Sequence, residues 1–177
     1  LDVFGLDPSE RQVKLFRENF PDYRCVCSSL EEFETVEHFD LAFVVHTLYY
    51  VENLNDALKK LYDLSDRMLI VHHGEGGINE VEHTFIDLLS GKRRLLGTYE
   101  LILTALDSLN IKYYFESVVA EADVSSCRSD CSTGRSLISF CLERLDLTDD
   151  DYERVSAWFR TRPSIMKHED GIILTQG

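Results

Sequence analysis

A histidine and two tyrosines follow an apolar stretch near the middle of the chain. His46, Tyr49 and Tyr50 come after residues 41–45, a continuous apolar run typical of a buried parallel strand. Ligands of open α/β sheets bind outside the carboxyl ends of strands, so these side chains are candidates for a binding site. An imidazole can hydrogen-bond an amine or accept its proton, and tyrosine rings can support a cation. The alternative is structural: a histidine bonded to local backbone and tyrosines packed in the core.

A second polar group ends the next apolar stretch. His72, His73 and Glu75 follow residues 68–71, which again have the composition of a buried strand. If the two strands are parallel, their carboxyl ends lie at the same edge of a sheet. Position alone therefore predicts that His73 lies near a bound substrate.

The elements that position these groups alternate along the chain. Strands are predicted at residues 1–6, 23–27, 41–45, 68–71 and 111–119. Helices are predicted after residues 7, 53, 77 and 98, and over 136–144 and 148–159. Strands that alternate with helices of about three turns imply a single α/β domain over residues 1–177, with a mostly parallel sheet covered by helices on both faces.

The composition excludes several classes of function. A formal net charge of −14 argues against nucleic-acid binding, which uses clustered Lys and Arg, and is compatible with a cationic ligand. No apolar run approaches the ~20 residues that cross a bilayer. Five cysteines without framework spacing indicate reduced thiols and a cytoplasmic setting. Cys127 and Cys131 lack further ligands at suitable spacing, so no metal site is expected.

Three segments resemble class I S-adenosylmethionine-dependent methyltransferases, and histamine N-methyltransferases in particular. They are Asp7-Pro8-Ser9-x-x-Gln12, Leu48-Tyr49-Tyr50-Val51 and Met68-Leu69-Ile70, which match the family's second, fourth and fifth strands in order. The resemblance implies a Rossmann-like methyltransferase sheet and S-adenosylmethionine as cofactor. It also implies methyl transfer to a small-molecule amine.

The resemblance implies a set of cofactor contacts. Asp7, at the end of a strand, would accept hydrogen bonds from the ribose hydroxyls. Its alternative role is to cap the helix that starts at Pro8, and both roles are compatible if each carboxylate oxygen serves one of them. The other implied cofactor contacts are Gln12, Ser28, Ser29 and Val45. Their alternatives are a solvated helix face for the glutamine, a turn for the serines and plain core for the valine.

The resemblance also implies an acceptor site. His46 stands where the relatives have a glutamine in contact with the substrate, so it would bind the acceptor and act as the catalytic residue that keeps the amine deprotonated. Tyr49 and Tyr50 match tyrosines of the substrate pocket. His73 is assigned to the substrate by its position alone.

The chain departs from the family pattern in three places. The family's first strand and glycine-rich turn would precede Leu1, and its last strand would follow Gly177, so both are expected to be missing. Two tryptophans of the family's pocket fall near Ile78 and Glu82, and a cysteine falls near Arg94. A sheet without its first strand has two unpaired edges, through which the chain could oligomerise.

These observations leave three functions open. The first is a methyltransferase domain in which residues 1–177 alone are expected to be inactive, because the cofactor turn is missing. The alternative is a methyltransferase-like binding or interaction module without catalysis, whose open slot is closed by a partner or a second copy. A more remote alternative is another nucleotide-binding α/β domain that uses Asp7 on the ribose.

Overall fold

The computed structural model describes residues 2–77, 79–89 and 97–176. The strands of this part are β1 (Phe4–Asp7), β2 (Arg24–Cys27), β3 (Ala42–Val45), β4 (Met68–His73), β5 (Tyr113–Asp123) and β6 (Ile165–Thr175). The helices are α1 (Glu10–Asn19), α2 (Leu54–Leu64), α3 (Asn79–Thr84), α4 (Tyr99–Ser108), α5 (Ser132–Cys141) and α6 (Asp149–Arg160). Short 3-10 helices occupy Leu48–Tyr50 and Ser125–Arg128.

The strands form two sheets. β1 and β2 pair in parallel, and the other strands form a four-stranded sheet in the order β3-β4-β6-β5. β3 and β4 are parallel, whereas β6 is antiparallel to both of its neighbours. The expectation of a mostly parallel sheet is confirmed only in part, because β6 inserts in the opposite direction between β4 and β5 and makes the sheet mixed.

The end of the chain forms a strand that the sequence analysis did not predict. The apolar stretch at residues 171–174 is the end of an eleven-residue strand, β6. The run Lys167-His168-Glu169-Asp170 interrupts its apolar pattern. Residues 165–169 pair with β5 alone, outside the apolar centre of the sheet, so polar side chains are tolerated there.

Between the two sheets, the described part of the chain has no strand that joins β1 to β3. Aromatic contacts cross this interval instead. The ring of Phe4 lies 5.5 Å from the rings of both Phe33 and Phe39, measured between centroids. Side-chain packing rather than backbone pairing therefore holds the β1–β2 sheet against the segment that leads into β3.

One face of the four-stranded sheet carries the main core. Paired residues of adjacent strands point to the same side, so Val44, Ile70 and Ile173 share a face. All three are buried, and they belong to one cluster with Leu58 of α2 and Leu106 of α4. We call this side, under α2 and α4, the covered face.

The opposite side, which we call the open face, is partly exposed. It carries Phe43 and Val45 of β3 and Tyr114 of β5, which are 66%, 38% and 67% exposed. Leu69 and Val71 of β4 lie between them and are half-buried. Helices were expected on both faces of the sheet, but the described helices α2 and α4 cover only one face of the four-stranded sheet.

A second core lies beyond the carboxyl end of β4. β5 and β6 continue there as a two-stranded ribbon, and the chain between them forms the 3-10 helix Ser125–Arg128, α5 and α6. We call residues 125–160 the cap. Its core contains Cys127, Ile138, Leu142 and Phe159, all buried. A capping box between Thr148 and Asp151 starts α6, as that pair of residues predicts.

The predicted pocket-wall positions are only partly described. Ile78 and Arg94 lie outside the described residues, whereas Glu82 is a buried residue of α3. Among the described helices, none has the length and apolar character needed to span a membrane.

Candidate functional site

His46 occupies an unusual backbone position at the end of β3. Its N–H donates to the carbonyl of Val71 at 3.0 Å, which extends the β3–β4 pairing by one residue. Its φ of 49° lies in the left-handed region, which residues other than glycine rarely adopt. This backbone conformation costs about 1–3 kcal/mol. The strand therefore turns sharply at His46, and the following 3-10 helix brings Tyr49 and Tyr50 back towards the sheet.

Four of the predicted residues meet in one ring cluster. The ring of His73 lies nearly parallel to those of His46 and Tyr49, at interplanar angles of 21° and 19° and centroid distances of 5.6 and 5.5 Å. Tyr50 contacts Tyr49 edge-on at 4.5 Å. The sequence prediction that these residues share a corner therefore agrees with their placement in the structure.

Tyr50 also connects this corner to the cap. Its hydroxyl donates to Glu143 Oε1 at 2.6 Å, across 93 positions of sequence. Glu143 follows α5 and has a left-handed φ of 52°. This hydrogen bond holds the segment after α5 beside the ring cluster. The spacing of Tyr50 and Glu143 in the sequence gave no indication of the contact.

Two polar residues of β6 join the cluster, and the sequence analysis missed both. Asp170 pairs in register with His73, and its Oδ1 lies 4.0 Å from His46 Nε2. Its Oδ2 lies 3.6 Å from His168 Nε2. The only sequence signal for them was the polar run at 167–170 within an otherwise strand-like tail. That run lies beside His73 only because β6 inserts antiparallel to β4.

His72 and Tyr99 lie on the covered side of the same corner, and the ring of His72 contacts that of His73 edge-on at a centroid distance of 4.5 Å. The buried ring of His72 borders a groove of about 540 Å³, whose lining includes Leu48, Glu52, Gly97 and Leu101. Tyr99 packs over Gly74 and Gly171, with Glu100 and Glu169 bonded to its hydroxyl. Burial, followed by those two carboxylates, raises the pKa of Tyr99 to about 12.

The predicted cofactor residues Asp7 and Ser28 adjoin each other at the ends of β1 and β2. The carbonyl of Asp7 accepts from the Ser28 N–H at 3.2 Å, and Asp7 Oδ1 accepts from the Ser9 N–H at 2.7 Å. The helix cap is Ser9, whose hydroxyl accepts from the Gln12 N–H. Asp7 as N-cap is therefore wrong, because Asp7 still belongs to β1 and its side chain bonds the turn that precedes the helix.

The remaining predicted cofactor residues have separate environments. Ser28 donates its hydroxyl to the Ser29 carbonyl, and the Ser29 hydroxyl accepts from the Glu32 N–H in the next turn. Gln12 is exposed on α1. Val45 lies on the open face, so its alternative as plain core is wrong.

Two hydrogen bonds of Glu31 link the segment after β2 to the segments that follow β3. Glu31, in the turn after β2, accepts from the Glu52 N–H at 2.9 Å through Oε1. The Glu31 carbonyl also accepts from Lys60 Nζ of α2 at 3.0 Å. The segments that follow β2 and β3 are therefore tied together at the carboxyl edge.

The cysteines provide no evident reactive group. All five are free thiols, and burial raises the pKa of Cys127 to about 11 and that of Cys141 to about 12. Those two thiols are therefore neutral at physiological pH. Within the described residues, His, Cys, Asp and Glu side chains form no group of three that could hold a metal ion.

Comparison with known proteins shows that methyltransferases share this architecture. Residues 1–67 match the profile of a family described as a methyltransferase domain. A candidate methyltransferase from Bacillus halodurans superposes with a TM-score of 0.72 at 11% identity, covering 99% of this chain and 82% of that one. The YcgJ protein of Bacillus subtilis gives 0.64 at 12% identity, covering 98% and 81%.

A third structure, of the N-methyltransferase NodS from Bradyrhizobium japonicum WM9, contains S-adenosylhomocysteine. It gives a TM-score of 0.57 at 11% identity, covering 99% of this chain and 66% of NodS. No curated protein matches the sequence. Together the comparisons show that the chain has the class I S-adenosylmethionine-dependent methyltransferase fold.

Proposed function

We propose that the chain belongs to an S-adenosylmethionine-dependent methyltransferase that acts on a small-molecule amine, as histamine N-methyltransferases do. The observation that supports this most is the cluster of His46, Tyr49, Tyr50 and His73 at the carboxyl ends of β3 and β4. In this class of fold, ligands bind at that edge. The N-methyltransferase NodS, bound to S-adenosylhomocysteine, has the same fold.

The residues at the ends of β1 and β2 have polar groups suited to bind a nucleoside. Asp7 uses Oδ1 on the Ser9 N–H and makes no further side-chain hydrogen bond among the described residues, so Oδ2 is available for a ribose hydroxyl. Ser28 and Ser29 stand beside it, at the end of β2. Gln12 and Val45 are assigned to the cofactor by the family resemblance. Bound there, S-adenosylmethionine would supply a methyl group on a positively charged sulfur.

The ring cluster provides what an amine acceptor needs. An amine attacks the methyl carbon with its lone pair, the carbon–sulfur bond breaks, and its electron pair remains on sulfur. The attacking nitrogen must therefore have lost its extra proton, which His46 can accept. The near-parallel rings of Tyr49 and His73 give a flat wall for the acceptor, and Tyr50 closes the corner towards the cap. Orientation in a water-poor corner contributes several kcal/mol to such a displacement.

A binding or interaction module without catalysis is the second candidate. It is favoured by one observation, namely that no described strand joins β1 to β3. Apart from Val45 of β3, the residues proposed for the cofactor therefore lie on or beside the β1–β2 sheet, whereas those proposed for the acceptor lie at the four-stranded sheet.

Calorimetry with S-adenosylhomocysteine, together with methyl-transfer assays on a panel of small amines, tests the proposal. The Asp7→Ala variant should bind S-adenosylhomocysteine more weakly by roughly 1–3 kcal/mol, because it loses a charge-assisted hydrogen bond. Asp22→Ala, which removes an exposed acidic side chain elsewhere, is the control.

His46→Asn should reduce methyl transfer while leaving the affinity for S-adenosylhomocysteine unchanged, because asparagine tolerates the left-handed backbone but cannot accept the proton. Binding without transfer to any amine would favour the non-catalytic module. Because residues 1–177 alone are expected to lack the cofactor turn, these measurements need a chain extended upstream of Leu1 to include it. Absence of binding by that extended wild-type chain would contradict the enzyme proposal altogether.

A further inference from the structure

We propose that two copies of this chain pair through the outer edge of β5, which joins their four-stranded sheets into one sheet of eight strands. The two β5 strands would run antiparallel about a two-fold axis at Val118, the central residue of β5. This inference goes beyond the proposed methyl transfer and does not depend on it. It also concerns a different edge from the two that an absent first strand would leave.

The first support is that the outer edge of β5 is open. β5 comes last in the strand order β3-β4-β6-β5, and within residues 2–77, 79–89 and 97–176 no strand pairs with its other side. Every residue of β5 pairs with β6. The outward N–H and C=O groups of β5 therefore form an edge about 37 Å long that is available to another strand.

The second support is that this edge lacks the usual protection. Natural edge strands are short, or carry proline, lysine or a bulge that prevents further pairing. β5 has eleven residues, contains neither proline nor lysine, and pairs with β6 without a bulge. It presents Tyr114, Val118 and Val119 at exposed fractions of 67%, 43% and 61%. An exposed apolar edge of this length is typical of strands that pair with another chain.

The third support identifies the occupant as a second copy. Because Val118 is the centre of β5, an antiparallel pairing of Val118 with its counterpart aligns all eleven residues of both strands. Like charges directly opposite each other destabilise such a pair, as two Glu116 side chains would in a pairing centred on Glu116. Centred on Val118, each acidic residue of β5 faces an uncharged one: Glu116 faces Ala120, Glu121 faces Phe115 and Asp123 faces Tyr113.

The stabilisation comes mainly from the backbone. An antiparallel pairing of eleven residues forms about ten hydrogen bonds between the two strands. On the open face, the two Val118 side chains would face each other at the axis, and Tyr114 would lie over Ala122 at either side of it. Cross-strand pairs of aromatic and β-branched residues contribute further.

The pairing would also bring the two proposed acceptor sites close together. His73, Asp170 and Val118 pair in one row across β4, β6 and β5. With Val118 on the two-fold axis, this row continues into the second copy as far as its own Asp170. At about 4.8 Å between neighbouring strands, the Cα atoms of the two Asp170 residues would lie roughly 14 Å apart.

Sedimentation equilibrium of the purified chain tests the pairing. The wild type should form a dimer, and Val118→Lys should raise its dissociation constant at least about tenfold, because two ammonium groups would face each other across the axis. Within one copy the new lysine lies beside Asp170, so the fold should tolerate it. Val36→Lys makes the same change at a fully exposed residue between β2 and β3, and this control should leave the dissociation constant unchanged.

The open face is the alternative interface, and Phe43→Lys tests it. Phe43 is 66% exposed on β3, at the opposite end of the sheet from β5. Its substitution should leave the dimer in place. Dissociation of the Phe43→Lys dimer together with an unchanged Val118→Lys dimer would overturn the inference, as would a wild type that stays monomeric.

Cysteine cross-linking tests the register and decides the matter even if Val118→Lys does not fold. Copper-catalysed air oxidation should link Val118→Cys into a covalent dimer, because residues that face each other at the axis have Cβ atoms about 5 Å apart, within reach of a disulfide. Tyr114→Cys is the matched control on the same face, since its counterpart would lie roughly 27 Å away along the strands.

The wild-type chain, oxidised in parallel, measures any cross-linking through the native thiols. A covalent dimer of Val118→Cys alone is the expected result on a non-reducing gel. Equal cross-linking of Val118→Cys and Tyr114→Cys, or none above the wild type in either, would overturn the inference.

Discussion

The two faces of the four-stranded sheet differ sharply. On the covered face, Val44, Ile70 and Ile173 are buried under α2 and α4. On the open face, Phe43 and Tyr114 expose two thirds of their surface. The same strands supply both faces, so the difference arises from what packs against them and not from strand composition.

The polar residues of the proposed acceptor site follow this division. His73, Asp170 and His168 continue the open-face rows of β4 and β6 beyond their apolar residues, at the carboxyl ends of β3 and β4. His72, one position before His73, borders the groove beside α4 and contacts the ring of His73 from that side. The comparison indicates that the covered face provides most of the stability and that the proposed chemistry lies on the other side.

The largest expected difference between the faces concerns stability. Ile70→Ala should lower the free energy of unfolding by about 2–5 kcal/mol, because it leaves a cavity in the covered core. Phe43→Ala should cost less than about 1 kcal/mol, since that ring is 66% exposed. Chemical denaturation of both variants measures the difference. A large loss for Phe43→Ala would mean that another surface covers the open face in solution.

A smaller effect is expected where the backbone of β6 approaches Tyr99. A Cβ added to Gly171 would lie 2.5 Å from Tyr99 Cγ and 2.7 Å from Tyr99 Cβ. Gly171→Ala should therefore destabilise the fold by about 1–3 kcal/mol through overpacking. Gly76→Ala is the matched control, because an added Cβ there meets no atom within 4 Å. Thermal unfolding should separate the two variants, and equal melting temperatures would refute close packing at Gly171.

The smallest expected effect is a pH dependence that also belongs to the covered face. The pKa of Tyr99 is raised from 10.0 to about 12, so folding favours the neutral phenol. Its contribution to stability is complete below pH 10 and is lost as the pH rises through about 12. Absorbance titration of the tyrosines should show a late step that Tyr99→Phe removes. Tyr114→Phe, a change of an exposed tyrosine on the open face, should leave that step in place.

Local sequence signals predicted much of the fold. Amphipathic spacing located α2 and α4, and Thr148 with Asp151 located the start of α6. Polar residues after two apolar runs indicated a shared corner, and His46, Tyr49 and His73 do form one cluster. These predictions depend on contacts within a few residues or on the general geometry of parallel strands.

Distant pairing decided what the sequence analysis missed. No strand was predicted beyond residue 159, and residues 165–175 form β6, which pairs with β4 and β5. Asp7 was expected to cap α1, and Ser9 does so, because β1 extends through Asp7. In both places, pairing with another strand decided where a segment of ambiguous local pattern began or ended.

The sequence by itself determined the alternation of strands and helices, the polar corner after β3 and β4, and the resemblance to methyltransferases. Each is a property of short segments and their order. Only the tertiary structure decided that β6 inserts antiparallel beside β4, because strand order depends on backbone pairing across about a hundred residues. That insertion places Asp170 and His168 next to His46, at the edge of the sheet where the acceptor site is proposed.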